Sequence, residues 1–381
     1  MNILYIGKYP PIQGGESNKA YWLLKSFGER GHSISVVSNC MEVEQDYRCK
    51  LSEEDIEKLQ PRGIKLYSSF PVKVPSFIPK TNPYTEKLIS LALEAADEIN
   101  PDFVFSWYLL PYSVAGHVVA KLINKKHIIH HAGSDITRLY NDPYLHNCLK
   151  SVIQNADSIL TYRYLSKQFQ EMGVKPILMP KSSFPQIFNP HGNKLIDHEI
   201  NYNNSALFLG KIAKPKGIEY LINSFSEIDK NKSLIIAGGG EFKNNVEERV
   251  KDEDKNRIHF IGNLLNWKIP ELIRSVKCVV VPEHNFGVPI HRSGIPLESL
   301  LCGVTPLVSS EIYHKYQNLK DYIVEINPLD KNSFTKTLER AINDDKMNMK
   351  IVNEYKTIRN IIGDYDNYVK QMENIFLEFC K

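Results

Sequence analysis

Short, uniformly apolar runs alternate with amphipathic stretches along this chain, and the pattern occurs twice. "NILYIG", "ISVVSN", "DFVFSW", "HIIHH" and "SILTY" form the first series; "ALFLG", "SLIIAGGG", "IHFIG", "CVVVP" and "TPLVSS" form the second. Apolar runs without polar alternation read as strands buried on both faces, which is how strands of parallel sheets are covered. Helical patterns fill the gaps. Between residues 16 and 30, Ala20, Leu24 and Phe27 share one stripe and Gly31 stands just past the end. "PYTEKLISLALEAADEI" is a second such pattern. The expected fold class is α/β, two Rossmann-like doubly wound domains facing a cleft. A chain of 381 residues is also too long for one ordinary core.

The expected boundaries come from where the pattern stops and restarts. Residues 1–185 form an N-terminal Rossmann-like domain. Residues 186–204, "QIFNPHGNKLIDHEINYNN", are polar and irregular and read as a linker. Residues 205–346 form the second domain. Residues 347–381 are helical, with Tyr355, Ile358, Ile362 and Tyr365 on one stripe, and are expected to pack back on the N-terminal domain. In doubly wound sheets ligands sit outside the C-terminal strand ends.

Composition excludes several classes. The net charge of +3 argues against a protein that neutralises a nucleic-acid backbone. Six scattered cysteines, with no CxxC pair, read as reduced thiols of a cytoplasmic protein. "MNILYIGKYPP" reads as a first strand, not a signal peptide. Phe103 to Ala120 is uncharged for 18 residues, a length that touches the membrane threshold. Pro111, Tyr112, Ser113 and His117 interrupt it, however, and "DFVFSW" alone looks like a buried strand, so no membrane span is expected.

Four loops after strands carry the chemistry. "GKYPPIQGGES" places Gly14 and Gly15 before a helix, where a backbone can approach a ligand and a helix N-terminus favours an anion. It is not a GxGxxG fingerprint. "LGKIAKPKGIEYLI" places Lys211 directly after a strand and Lys216 directly before Gly217 and a helix. Two ammonium groups beside free helix N–H groups suit a diphosphate. "AGGGE" is the third loop. The fourth, "NFGVPIHRSGIPLESLLCG", places a lone carboxylate, Glu298, in an apolar run, where it must find hydrogen-bond donors or stay wet.

With these loops in view, the C-terminal half resembles the retaining glycosyltransferases of the GT-B fold, specifically glycosyltransferase family four. The resemblance rests on "LGK", "PKG", "IIAGGGE", "HFIGNLL" and "VPEHNFGVPIHRSGIPLESLLCGVTPLVSS", supported by "GGESNKAYWLLKSFGERGHSISVVS" and "HHAGSD" in the N-terminal half. It implies that Glu298 holds the donor ribose hydroxyls and that Lys211 and Lys216 hold the diphosphate. The backbone of Asn263, Leu264 and Leu265 would meet the base. Arg292 and Gly294 would line the donor site, Gly14 and Gly15 would close over the phosphates, and His131 would sit beside the transferred sugar. The catalytic set is thus His131, Lys211 and Lys216.

There are departures. The family usually carries two glutamates flanking seven residues, but counting back from Glu298 reaches Ile290. The nearest upstream acid, Glu283, stands fourteen residues before it, counting those between. Glu283, or His291 with Arg292, would then contact the sugar. Lys211 replaces the more common Arg, which keeps the charge but loses the bidentate fork.

The resemblance implies transfer of a hexosyl-type sugar from a nucleoside diphosphate sugar to a hydroxyl of a glycan or lipid-linked acceptor, in cell-surface polysaccharide or glycoconjugate synthesis. The alternatives are a non-catalytic nucleotide-sugar-binding protein and a sugar-nucleotide epimerase of the same fold. No cofactor beyond the donor and no nucleic acid partner is expected. Two Asp-x-Asp sequences, Asp252–Asp254 and Asp364–Asp366, lie in charged or tail segments and are not expected to bind metal. "YSSFPVKVPSFIPKTNPY", Tyr67 to Tyr84, mixes lysines, prolines and aromatics, and is the candidate for peripheral membrane contact.

Overall fold

A computed structural model describes residues 1–43, 45–72, 83–133, 135–195, 200–285, 287 and 292–380. The chain divides into two compact units, Met1–Ser182 with Asp366–Lys381, and Ser183–Tyr365.

The first unit runs β1 (Asn2–Gly7), α1 (Gly15–Glu29), β2 (Ser33–Ser38), α2 (Glu53–Lys58), β3 (Ile64–Ser68), α3 (Tyr84–Ile99), β4 (Phe103–Trp107), α4 (Val114–Leu122), β5 (Lys126–His130), α5 (His146–Gln154), β6 (Ser158–Thr161), α6 (Arg163–Glu171) and β7 (Pro176–Leu178). Its strands, all parallel, lie in the order β3-β2-β1-β4-β5-β6-β7. The order reverses between β1 and β4, where Leu4 pairs with Val104. Both faces of β1, β4 and β6 are buried, which explains their apolar runs. Leu4, Ile6 and Val104 pack with Leu88 and Ala92 of α3 and Ala115 and Val119 of α4. The stretch after β4 turns at Leu109–Ser113 into the nine-residue α4. Among the described residues no helix is long and apolar enough to cross a membrane.

The second unit runs β8 (Ser205–Leu209), α7 (Ile218–Phe225), β9 (Ser233–Ala237), α8 (Lys243–Glu247), β10 (Ile258–Gly262), α9 (Ile269–Ser275), β11 (Cys278–Val281), α10 (Ile295–Leu301), β12 (Thr305–Ser309), α11 (Ser310–Tyr313), β13 (Val324–Ile326), α12 (Lys331–Asn343), α13 (Lys346–Asn353) and α14 (Tyr355–Ile362). Its parallel sheet has the order β10-β9-β8-β11-β12-β13, a doubly wound arrangement that reverses between β8 and β11. Alternate residues feed two cores. Phe208, Ile236 and Val280 face Leu221 and Phe225 of α7 and Phe334 of α12; Leu207, Ile235 and Val279 face Ile273 of α9 and Leu300 of α10.

The expected linker and tail are each tied down in a specific way. Phe188 is buried in the second unit's core. The Arg274 guanidinium of α9 donates to the carbonyls of Ile187 (3.1 Å), Asn189 (3.0 Å) and Asn193 (2.7 Å). The helical tail splits. Ile351, Ile358 and Ile362 of α13 and α14 belong to the second unit's core. Only the last helix, α15 (Tyr365–Leu377), serves the first unit. There Phe376 is fully buried, with its ring 4.9 Å from Phe105, 5.3 Å from Phe103 and 5.7 Å from Phe27, centroid to centroid. Glu373 adds polar ties, accepting from Arg30 at 3.2 Å and lying 2.6 Å from Nε2 of His32.

Truncating Phe376 to alanine removes a ring from the middle of this aromatic cluster. Phe376→Ala is expected to destabilise the first unit by about 3–5 kcal/mol, read as a lower urea midpoint for that unit's transition. An unchanged midpoint would show that α15 is not needed there.

Candidate active site

Each expected site residue follows a strand of one of the two sheets, at its C-terminal end. Lys211, Lys216, Asn263, Leu264, Leu265, Glu283, Arg292, Gly294 and Glu298 belong to the second unit; Gly14, Gly15 and His131 belong to the first. His291 lies outside the described residues, as do residues 73–82 of the proposed membrane-contact segment. Of that segment's described flank, Phe70 and Val72 are exposed, while Tyr67 is buried with its hydroxyl donating to Glu98 at 2.6 Å.

In the second unit the loops after β8 and β11 are laced together. Gly217, the residue before α7, adopts φ +69°, and a Cβ there would lie 1.9 Å from the Pro282 carbonyl oxygen. Only glycine permits both the left-handed backbone and that approach. Beside it the His284 amide donates to the Pro215 carbonyl at 3.0 Å. The Lys216 ammonium then meets Oε1 of Glu283 at 2.5 Å, with the lysine side chain 16% exposed and the glutamate 1%. Glu283 is therefore not simply a free acid awaiting a sugar: its carboxylate faces Lys216.

Lys211 is arranged differently. It pairs with Glu241, the acid that ends "AGGGE", at 2.8 Å, and both side chains are about half exposed. An exposed pair of this kind contributes little and opens readily, at about 0–1 kcal/mol. The Gly238 position explains the glycine run, since a Cβ there would lie 1.9 Å from the Gly210 carbonyl oxygen. The loops are stitched by Ile212 N–H to Gly239 O (2.8 Å) and Gly238 N–H to Gly262 O (2.8 Å).

The other donor-side candidates fall on the loop after β10 and around α10. Leu265 is buried and Leu264 packs on the core, so this loop presents backbone more than those side chains. Gly294 precedes α10, and Glu298 lies in its first turn, partly buried. Acids are favoured there by the helix dipole. Arg292 stacks its guanidinium over the Tyr316 ring at 4.6 Å. The Tyr316 hydroxyl donates to the Ser293 carbonyl, and burial pushes that phenol up to about 12.

In the first unit, α1 begins at Gly15 with Gly14 at φ +132°, and neither glycine has an atom within 4 Å of a notional Cβ, so both face open space. Glu16 in the first turn accepts from Trp107 Nε1 at 3.1 Å and pairs with Lys19 at 2.9 Å. His131 follows β5 and is fully buried. Its Nδ1 lies 3.2 Å from the Ala132 carbonyl and its Nε2 2.8 Å from the Thr161 hydroxyl. A carbonyl only accepts, so Nδ1 carries the proton and Nε2 accepts from Thr161. Burial pushes this imidazole down to about 4. Its neighbour His130 was not singled out by sequence. It is 1% exposed, sits 4.2 Å from the Trp107 ring, and among the described residues neither of its ring nitrogens has a hydrogen-bond partner. The doubled histidine of "HHAGSD" was the available signal. Asp135, also missed, accepts from the Ala132 (3.0 Å) and Leu109 (3.2 Å) amides, yet burial raises its carboxyl to about 6.

Among the described residues no three His, Cys, Asp or Glu side chains gather as a metal site. Asp254 is buried against Arg257 at 2.7 Å, and Asp252 pairs with Lys255 at 2.6 Å. None of the six cysteines forms a disulfide.

The chain is similar to known proteins in sequence and in fold. Residues 197–357 match the family model described as Glycosyl transferases group 1. The matched segment covers the second unit's loops bearing Lys211, Lys216, Glu283 and Glu298. An uncharacterized glycosyltransferase of Methanocaldococcus jannaschii is 24% identical over 212 residues, 55% of this chain and 56% of that relative. The chain therefore spans about half the length of that curated relative. The N-acetyl-alpha-D-glucosaminyl L-malate synthase of Bacillus anthracis is 21% identical over 332 residues, 80% of this chain and 77% of the relative. Among solved structures, Anabaena HepE in complex with UDP and glucose superposes with a TM-score of 0.65 at 13% identity, over 99% of each chain. That likeness establishes the fold, two Rossmann-like domains of the GT-B type.

His131 supplies a pH prediction. The folded imidazole stays neutral down to about pH 4, whereas an unfolded one protonates near ~6.5. Between those values the unfolded state binds more protons, so this residue's contribution to stability is present above ~6.5 and is lost as pH falls toward 4. A histidine-resolved NMR titration should find His131 uncharged at pH 5; protonation near 6.5 in the folded protein would contradict the burial argument.

Proposed function

We propose that this protein is a retaining glycosyltransferase that moves a hexosyl-type sugar from a nucleoside diphosphate sugar to a hydroxyl of a glycan or lipid-linked acceptor. The observation that carries the reading is the family match lying over the laced loops after β8 and β11. Those loops place two lysines and the N-terminus of α7 around one switch point, where such sheets bind ligands. Two further facts support it. HepE, whose fold this chain shares, is a UDP and glucose complex, and Glu298, the carboxylate that in this reading accepts from a vicinal ribose diol, stands partly buried in the first turn of α10.

In this reading the bond from the anomeric carbon to the diphosphate oxygen breaks while the acceptor oxygen bonds to that carbon on the same face. The acceptor's proton leaves on the departing diphosphate. Lys211 and Lys216, with the α7 N–H groups, stabilise charge as it grows on the leaving group. Glu298 orients the donor. The location that suits such chemistry is the cytoplasm, with the acceptor reached at a membrane face in polysaccharide or glycoconjugate synthesis.

A panel of labelled nucleoside diphosphate sugars, offered with hydroxyl acceptors, tests the reading: one donor should release diphosphate and pass label to an acceptor. Saturable binding with no release would favour a non-catalytic donor-binding protein, and conversion of the donor in water alone would favour an epimerase.

Glu298→Gln should weaken use of that donor by about 1.5–3 kcal/mol, the value of a charge-assisted hydrogen bond, with the fold intact by circular dichroism. Unchanged donor kinetics would remove Glu298 from the site. Transfer should also persist in excess EDTA, because lysines supply the positive charge; activity lost on chelation and restored by Mn²⁺ or Mg²⁺ would refute the lysine-based mechanism.

A further inference from the structure

Glu283 presents a physical difficulty. It is a carboxylate 1% exposed at the end of a buried strand, and burying a charge is costly unless it is paired. Its Oε1 meets Lys216 Nζ at 2.5 Å, and the lysine side chain keeps 16% of its exposure. The acid is thus sealed inside, and the lysine side chain that meets it is mostly but not wholly buried. The backbone around them is fixed on both sides of the contact: Gly217 lies against the Pro282 carbonyl, and the His284 amide donates to Pro215. Lys211 offers a control within the same site. Its partner Glu241 is 58% exposed, so that pair is loose where the Lys216 pair is anchored.

We infer that Glu283 is a positioning residue, and that its carboxylate pins the Lys216 ammonium at the β8–β11 switch point and tempers its pull on a bound diphosphate. The inference rests on the glycosyltransferase reading for its account of turnover. It assigns Glu283 to the lysine, not to the sugar. One contact has two effects. Holding the ammonium in place orients its remaining N–H donors, so less motion is lost when charge develops on the leaving group. The negative charge behind the ammonium also weakens binding of the diphosphate in the ground state and so favours its release after transfer.

The test uses the full-length protein, with inorganic pyrophosphate as the probe of the lysine, and UDP, ADP and GDP with their glucose derivatives as probes of the whole site. Glu283→Gln keeps the side chain's shape and an acceptor oxygen but removes the charge. It should bind pyrophosphate about tenfold tighter and turn over the active donor about tenfold more slowly. In a Lys216→Gln background the same change should have a much smaller effect on both quantities, because Glu283 acts chiefly through the lysine it holds.

Three outcomes would overturn the assignment. The first is pyrophosphate binding unchanged by Glu283→Gln while binding of the sugar-bearing donor alone weakens, which makes Glu283 a sugar contact. The second is an effect of equal size with and without Lys216. The third is a loss of thermal stability with neither binding nor turnover altered. A wild-type protein that turns over no donor, yet shows the Lys216-dependent pyrophosphate effect, refutes the glycosyltransferase reading and leaves the pairing standing. Should Glu283→Gln fail to fold, the wild-type ammonium decides: a ¹⁵N-lysine resonance of Lys216 that exchanges with water as fast as exposed lysines contradicts the pinned contact.

Discussion

The second unit depends on how closely two backbones approach at Gly217. The chain leaves β8, turns through Lys214–Lys216 and enters α7, and at that point Gly217 lies against the Pro282 carbonyl beyond β11. A side chain there would meet that oxygen at 1.9 Å. Because β8 and β11 are neighbours only through the sheet's reversal, topology brings the two loops side by side and glycine lets them touch. The charges then have little freedom. Lys216 directly precedes the glycine and Glu283 directly succeeds the proline, so their side chains meet because their backbones already do.

The reversal in the first sheet carries different chemistry. Between β1 and β4, and on to β5, the strand ends present Trp107, His130 and His131, with Glu16 and Lys19 on the first two turns of α1. Burial keeps both imidazoles neutral. The open space at Gly14 and Gly15 lies on the same side of that sheet, past the end of β1. One fold thus provides, in its two units, a strand edge bearing two ammonium groups and one where neutral imidazoles and an indole adjoin an ion pair.

Most strands were legible in the sequence because both of their faces are buried. "NILYIG", "DFVFSW" and "CVVVP" have no polar alternation to confuse with an edge or a helix. The short β7 and β13 gave little signal, since three residues carry almost no periodicity. The tail's stripe correctly marked helices, but periodicity shows that a face is buried without saying against what; Ile358 and Phe376 therefore looked alike and serve different units. Within the site, Lys211, Lys216 and Glu298 were legible from their places after strands and before helices. Their counterions were not, because Glu241 and Glu283 are 30 and 67 residues from the lysines they meet, and only the sheet brings them near. His130 was hidden by the same limit: an unpartnered nitrogen is a fact about space.

The chain's route through the molecule has a consequence for its synthesis. Residues 1–182 contain all seven strands of the first sheet, but the helix that packs on Phe103 and Phe105 is encoded only after the whole of the second unit. At ordinary elongation rates a ribosome needs roughly 10–40 s to deliver the intervening residues. For that interval the first unit carries an uncovered aromatic face while the second unit is being made behind it. Completion of the earliest-made sheet therefore waits on a helix made after the second unit, so the half of the chain that is synthesised first is not the half that is finished first.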